Sequence, residues 1–545
     1  MNRAEALKRG RGSLRKQAWG TAFSHLSSAD KAAPLEPEDI EGLATAAHLS
    51  GRETDSLELL ARAHQAFLNA GEAQRSARCA IWLGLTTMFN GDMAQGNGWL
   101  ARAGRLLETL DECAEHGYLL LATGIRDVRG GHAADGDAAL ARATAIGRRF
   151  EDKDLVTMAL HGQGRALIRR GKVAKGAELL DEAMAAVMAG EVSPTIAGVV
   201  YCSVLESCRE SFDLRRAQEW TSALNRWCAS QPELVPYRGH CLLQRADIMQ
   251  LNGAWPEAME EARHACERLS DPPPKPPLGA AFYRVAEIHR VRGEFAQAEE
   301  AYRQANQAGY TVQPGFALLR MAQGQLDAAQ ATIRRLASET HAISTRPKVL
   351  EAFVEIALAV SDIPAARAAA DELKNTAARH GAPFLRATAD CACGAVLLAE
   401  GDVRKALITL RRGWSGWCEL GAPSEAARAR SLIALACREQ GDLDAAEMEL
   451  AAARHTFGRL GAATDAARLE KLAGKKTAKS TAGPLSSREL QVLRLVASGT
   501  TNRGIAAKLG ISDKTVARHV SNIFNKLDLT SRAAATAYAY QHGLS

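Results

Sequence analysis

One interval dominates this 545-residue chain. A short phrase recurs: a small residue, a large apolar one two positions on, and Ala or another small residue three further. It stands at Gly253, Trp255, Ala258; at Gly293, Phe295, Ala298; at Gly401, Val403, Ala406; and at Gly441, Leu443, Ala446. Looser copies begin at Gly51, Gly91, Gly131, Gly171, Phe212, Gly324 and Ser361, so successive starts from Gly51 fall 40, 40, 40, 41, 41, 40, 31, 37, 40 and 40 residues apart. A period of that length demands a repeat architecture, because one unit cannot bury its own apolar face and stacked neighbours must cover it.

The phrase reads as a turn between two antiparallel helices. The small residue supplies the left-handed conformation that ends the first helix, and the apolar residue and Ala open the buried face of the second. Phe282, Val285 and Ala286 lie at helical spacing before Gly293, and Phe295, Ala298, Tyr302 and Ala305 continue at that spacing after it. Aromatic residues make up only 5% of a chain dominated by Ala, Leu, Arg and Glu, which also favours helix over strand. About eleven hairpins therefore predict a curved solenoid with a concave inner surface, and a weaker unit around Gln17, Trp19 and Ala22 caps its start. The period breaks twice. The 31-residue step implies a shortened first helix near Gln313, Pro314 and Gly315, and Asp271 to Pro277 (DPPPKPP) is a stiff connector that no helix traverses; the break leaves either a pocket or a plain loop. The repeat resembles the tetratricopeptide repeat, with the usual period of about 34 stretched to about 40. Such solenoids bind peptides, proteins and small molecules alike, so the resemblance implies an architecture and not a ligand.

Eleven cysteines without a C-x-x-C pair read as buried thiols in a reducing compartment. No run of eighteen apolar residues exists, and the start MNRAEALKRGRGSLRKQ has no apolar stretch behind its basic residues, so the expectation is a cytoplasmic chain with no membrane partner. The formal charge of +6 is uneven. Residues 471–545 hold twelve Lys and Arg against three Asp and Glu, which leaves the first 470 residues slightly negative. A polyanion would be drawn to such a segment, although a solvated basic tail gives the same count.

Residues 473–484 (AGKKTAKSTAGP) read as a flexible basic linker. Beyond it, Ser486 and Glu489 form a capping box before a first helix that ends at Gly499. Thr501 and Asn502 open a short second helix, and Gly510, Ile511 and Ser512 turn into a third that runs to about Lys526. Two helices joined by a three-residue turn containing Gly mark a helix-turn-helix. On the third helix Val516, Val520, Ile523 and Leu527 share one narrow sector, and Lys514, Arg518, Ser521 and Asn525 lie opposite with Asn522 beside them. Those side chains suit base edges in a major groove, while Thr515, His519 and Lys526 on the flank suit phosphates; a merely solvated face is the alternative.

Residues 485–545 resemble the DNA-binding domain of the LuxR family of bacterial transcription factors, through LSSRELQVL, ASGTTNRGIAAKLGIS, TVARHVSNIFNKL and SRAAATAYAYQHGL. The resemblance implies a recognition helix in the major groove and dimerisation through Arg532 to Gln541. It assigns base contacts to Lys514, Arg518, Ser521 and Asn522, and backbone contacts to Thr501, Asn502, Thr515, His519 and Lys526. Three positions depart from the family pattern: Ala517 in place of a common Lys, Gly504 in place of a Glu that would complete a second capping box, and Gln491 in place of another Glu.

Several other chemistries are excluded. Gly474, Lys475, Lys476 and Thr477 lack the residues and the preceding strand of a P-loop. His240 and Cys241, with His264 and Cys266 opposite, offer at most one ligand per helix face, too few for zinc, and are expected to be core residues. The aromatic stretch with Tyr201, Trp220, Trp227, Tyr237 and Trp255 among Arg209, Arg226 and Arg238 is either an inducer site or core packing.

The expectation is thus an all-α protein: a tetratricopeptide-like α-solenoid over residues 1–472, a linker over 473–484, and a four-helix LuxR-type helix-turn-helix domain over 485–545. It is a non-enzymatic transcriptional regulator without cofactor or metal. Double-stranded DNA and a second copy of the chain are its partners, and the solenoid senses a protein or a small-molecule inducer. An interaction scaffold with a repurposed DNA-binding domain is the alternative.

Overall fold

The computed structural model describes residues 2–231, 233, 238–270, 277–342, 344–474, 485 and 487–542. Among these residues there are twenty-nine helices and no strand. Twenty-five of the helices build twelve hairpins and one closing helix, Ala463–Gly474.

Every turn position read from the repeat carries a positive φ, from 58° at Phe212 and 61° at Ser361 to 101° at Gly91, and Gln17 does the same in the first hairpin. Gly401 shows how the turn works. Asp402 N–H donates back to Leu397 O (2.9 Å), and the Asp402 side chain then accepts from Lys405 N (3.2 Å), so one residue closes a helix and caps the next. Asp442 repeats the arrangement after Gly441. Behind each turn the phrase's small residue is buried at the helix crossing, as Ala258, Ala298, Ala406 and Ala446 are. Larger side chains such as Phe67, Tyr302 and Phe457 fill the space between hairpins, each contributing about 2–3 kcal/mol by leaving water.

The short step gives a first helix of only eight residues, Gly315–Ala322, whereas its neighbours Leu278–Val291 and Arg346–Ala359 have fourteen. Asp271 to Pro276 lie outside the described residues. The aromatic stretch packs into the core: Tyr201 and Trp227 stand 5.4 Å apart, and the buried Trp255 donates Nε1–H to Gln250 O (2.9 Å). The side chains of Tyr237, Arg238, His240 and Cys241 lie outside the described residues. Cys266 is buried, but His264 is exposed on the outer flank of its helix, and Cys418 is exposed as well, so neither is the core residue expected. Both sit on second helices, whose outer flank no later hairpin covers.

The array coils so that hairpins five places apart meet at several points. Gly20 N–H donates to Glu233 in the loop after the sixth hairpin (2.8 Å). Phe212 of the sixth stacks on Phe384 of the eleventh, at 5.9 Å between ring centroids. The turn at Gly253 in the seventh abuts Pro423 and Leu460 of the twelfth, and Thr464 of the closing helix donates to Arg290 O in the eighth (2.7 Å). Residues 238–474 therefore close into a ring. The closing helix runs through Ala473 and Gly474, two residues into the segment expected to be linker, because Arg438 Nη1 takes up the terminal carbonyls of Leu472 (3.1 Å) and Ala473 (3.3 Å). Lys475 to Pro484 lie outside the described residues.

The C-terminal helices are Ser487–Ala497, Asn502–Leu509, Asp513–Leu527 and Arg532–Gln541. They enclose Val492, Leu493, Val496, Ile505, Val516, Ile523, Ala535 and Ala539, with Leu485 sealing one end.

Candidate nucleic-acid interface

The recognition helix is set by its two ends. Ser512 caps it by accepting from Thr515 N (3.1 Å), and Gly510, at φ 66°, turns the chain sharply out of the preceding helix. At the far end Asp528 takes φ 53°. Val516 and Ile523 are buried and Val520 and Leu527 half-buried, which fixes the helix's rotation. Lys514, Arg518, Ser521 and Asn525 then project outward and are exposed, with Asn522 half-buried at their edge. The sector read from the sequence is the outward one.

The flanking residues are more committed to the fold. Thr501 caps the second helix by accepting from Gly504 N (3.2 Å), so half of a capping box persists without the Glu. Its hydroxyl proton remains available to a phosphate. Asn502 Oδ1 accepts from Arg532 Nη1 (2.9 Å), which leaves the amide N–H groups as donors, and Arg532 Nη2 also holds Thr500 O (2.5 Å). Thr515 shares a hydrogen bond with Ser512 through their hydroxyls (2.7 Å). His519 is half-buried; burial, followed by the charge of Arg488, lowers its pKa, so at neutral pH it offers a neutral ring N–H.

Lys526 is the most constrained. Its ammonium sits 2.8 Å from the buried carboxylate of Glu489, tying the recognition helix to the first helix of the domain. Ser486, the expected partner of Glu489, lies outside the described residues. Arg488, which sequence reasoning passed over, locks the helix-turn-helix from behind through Nη2 to Leu509 O (2.8 Å). No hydrophobic periodicity marks it or Arg532; both are single arginines closing on carbonyls of neighbouring turns.

An ion pair reaches out of the domain. Arg518 Nη2 lies 3.0 Å from Asp444 Oδ2 in the last hairpin, and both side chains are about two-thirds exposed (71% and 67%). An ion pair so open to water is worth about 0–1 kcal/mol and yields readily to a polyanion. Among the described residues no cluster of three or more His, Cys, Asp or Glu is arranged to hold a metal, and no helix is long and apolar enough to cross a membrane.

Residues 483–539 match the family described as "Bacterial regulatory proteins, luxR family". The C-terminal domain is of the LuxR family. Similar curated proteins include the response regulator VraR of Staphylococcus aureus, of Staphylococcus saprophyticus and of Staphylococcus epidermidis, each 47% identical over 60 residues. That stretch is 11% of this chain and 29% of each relative, so the likeness is confined to the LuxR-type domain. Solved structures that align with the chain include the APC/C hetero-tetramer Cut9–Hcn1 (12% identity, TM-score 0.36) and yeast Tom70 (11% identity, TM-score 0.26), each covering 86% of this chain and 96% of the other. The LuxR-type domain is a DNA-binding regulatory module, and the helical repeats precede it.

Proposed function

We propose that the protein is a sequence-specific transcriptional regulator that binds promoter DNA as a dimer and whose solenoid senses a protein or small molecule in the cytoplasm. The observation that carries this reading is the outward stripe of Lys514, Arg518 and Ser521, with Asn522 at its edge, on a helix whose rotation is fixed by Val516 and Ile523. Arg518 pairs with a guanine edge, and Lys514, Ser521 and Asn522 supply further base contacts. Thr501, Asn502, Thr515 and His519 meet the backbone, and Lys526 joins them only on release from Glu489. Dimerisation falls to the fourth helix, where Ala533, Ala537 and Tyr540 are exposed at intervals of four and three residues. The two half-sites then lie about one helical turn apart.

Fluorescence anisotropy of the full chain on genomic fragments tests the proposal. Binding that weakens steeply with salt is expected. Arg518→Ala is expected to cost about 1–3 kcal/mol and to relax preference at one base pair. A salt-independent signal, or no binding to any fragment, favours the scaffold reading instead.

A further inference from the structure

The ring formed by residues 238–474 turns one face of each hairpin's first helix toward its lumen. Most charges there are matched: Arg284 with Asp247, Arg290 with Glu287 (2.7 Å), Arg428 with Asp465 (3.0 Å) and Arg468 with Glu355. Helix Arg346–Ala359 breaks the pattern. Lys348, Glu351 and Glu355 fall at intervals of three and four on one face of it, so they stand one above another along the lumen wall. Only Glu355 has a partner. Lys348 and Glu351 make no hydrogen bond or ion pair within the described residues. Neither does Oε2 of Glu425 on the twelfth hairpin, an atom closed off from solvent.

Both groups stand among charges of both signs. Lys348 is an exposed side chain, yet its ammonium is desolvated by the encircling wall, which lowers its pKa; Arg284 and Arg209 act in the same direction, Asp247 and Glu287 against it. Burial also raises the Glu351 carboxyl to about 7, opposed by Arg428 and reinforced by Glu425 and Glu355. Unpaired Lys348 thus lies one helical turn from unpaired Glu351, while Arg284 and Arg428 beside them are already held by Asp247 and Asp465. Unmatched charges in a desolvated wall weaken a fold that has matched their neighbours, and a ligand of complementary charge removes that penalty.

We propose that the lumen binds a small zwitterion, a free amino acid or the end of a short peptide, with its carboxylate on Lys348 and its ammonium between Glu351 and Glu425. The assignment rests on reading the solenoid as the sensing part, and is independent of DNA binding.

Titration calorimetry and thermal shift on the full-length protein test it, with the common L-amino acids and simple dipeptides as probes and acetate and methylammonium as single-charge controls. At least one zwitterion is expected to bind where the controls do not. Lys348→Met and Glu351→Gln are each expected to weaken that binding about tenfold or more, with Lys348→Arg largely restoring it. Circular dichroism shows whether each variant is folded. Near pH 6 binding should release a proton, because an ammonium beside Glu351 holds the carboxylate ionised; comparing buffers of different ionisation enthalpy reads this out. Free amino acids and dipeptides, compared at equal concentration, separate the two sources. Failure of every zwitterion, unchanged affinity in both variants, or equal binding of acetate overturns the proposal. Anisotropy with DNA on the same preparations tells its failure apart from failure of the DNA-binding reading.

Discussion

The two halves of the solenoid share a period but not a construction. In the third, fourth and fifth hairpins the helices cross at paired glycines, Gly84 with Gly96, Gly124 with Gly136 and Gly164 with Gly176, close enough that a Cβ on the second residue of each pair would press on the carbonyl of the first. In the seventh, eighth and twelfth the same places hold Ala246 with Ala258, Ala286 with Ala298 and Ala434 with Ala446, all buried. The inner faces differ in the same way. Arg78 meets Glu115 (2.8 Å) and Asp152 (3.5 Å) from the next two hairpins, Tyr118 adds a hydrogen bond to Asp152 (3.0 Å), and Arg165 reaches Glu206 (3.0 Å). The first half spends its polar side chains on joining neighbouring repeats. The ring of the second half also joins neighbours, through Arg284 with Asp247 and Arg428 with Asp465 (3.0 Å), but leaves Lys348 and Glu351 outside those pairs.

The sharpest way to break this comparison is at the glycine crossings. A Cβ on residue 176 would lie 2.6 Å from Gly164 O and 3.1 Å from Ile168 N, and backbone cannot move aside as a side chain can. Gly176→Ala is expected to cost about 2–3 kcal/mol by overpacking, outweighing the gain in helix propensity. Ala298→Gly in the second half should cost only about 1 kcal/mol. Urea midpoints measure both, and equal costs would mean that the two kinds of crossing are equivalent. Next in size is Arg78→Met, which leaves the buried Glu115 carboxylate with Gln74 alone (2.6 Å). A loss of about 2 kcal/mol is expected from that uncompensated charge, again read from the urea midpoint; a loss below about 0.5 kcal/mol would show that the ladder does not hold the first half together.

The turns were legible because a left-handed residue at a fixed period has one structural meaning. A second set of left-handed residues, at Gly71, Glu151, Gly190, Gly309, Gly381, Gly421 and Gly461, marks the joints between hairpins; five of the seven stand 20 residues after the preceding turn, but the residue two positions on is Ala, Lys, Val, Thr, Pro, Pro and Ala in turn, so the apolar phrase does not mark them. The five-hairpin coil was not legible, since Gly20 with Glu233 and Thr464 with Arg290 pair across more than 170 residues without a periodic trace. In the LuxR-type domain, angle alone separated Val516 and Ile523 from Lys514 and Arg518. Angle could not place Lys526 on Glu489, because a Glu at that point in a helix caps its own N-terminus just as well. Nothing in the sequence marks Lys348 and Glu351; only the closing of the ring sets them apart.

The smallest expected effect concerns sign. Burial lifts Glu351 from its ordinary 4.5 to about 7; Arg428 and Glu425 face it from the twelfth hairpin, Cys391 from the eleventh, and Lys348 and Glu355 from its own helix. With its folded pKa raised, the carboxyl's contribution is intact below about pH 4.5 and is lost as pH rises through 7, because the folded state retains a proton that the unfolded chain has released. Glu351→Gln should therefore match the parent protein near pH 5 and exceed it by on the order of 1–2 kcal/mol at pH 8, a figure reduced from the full linkage value because the side chain is partly solvated. The same exchange at Glu115, Glu115→Gln, removes half of a buried ion pair and should destabilise at pH 7. Melting curves of the two variants at several pH values decide the matter: opposite signs mean that one half of the solenoid uses its carboxylates for cohesion and the other holds them open, whereas a loss at both positions would place Glu351 among the structural pairs.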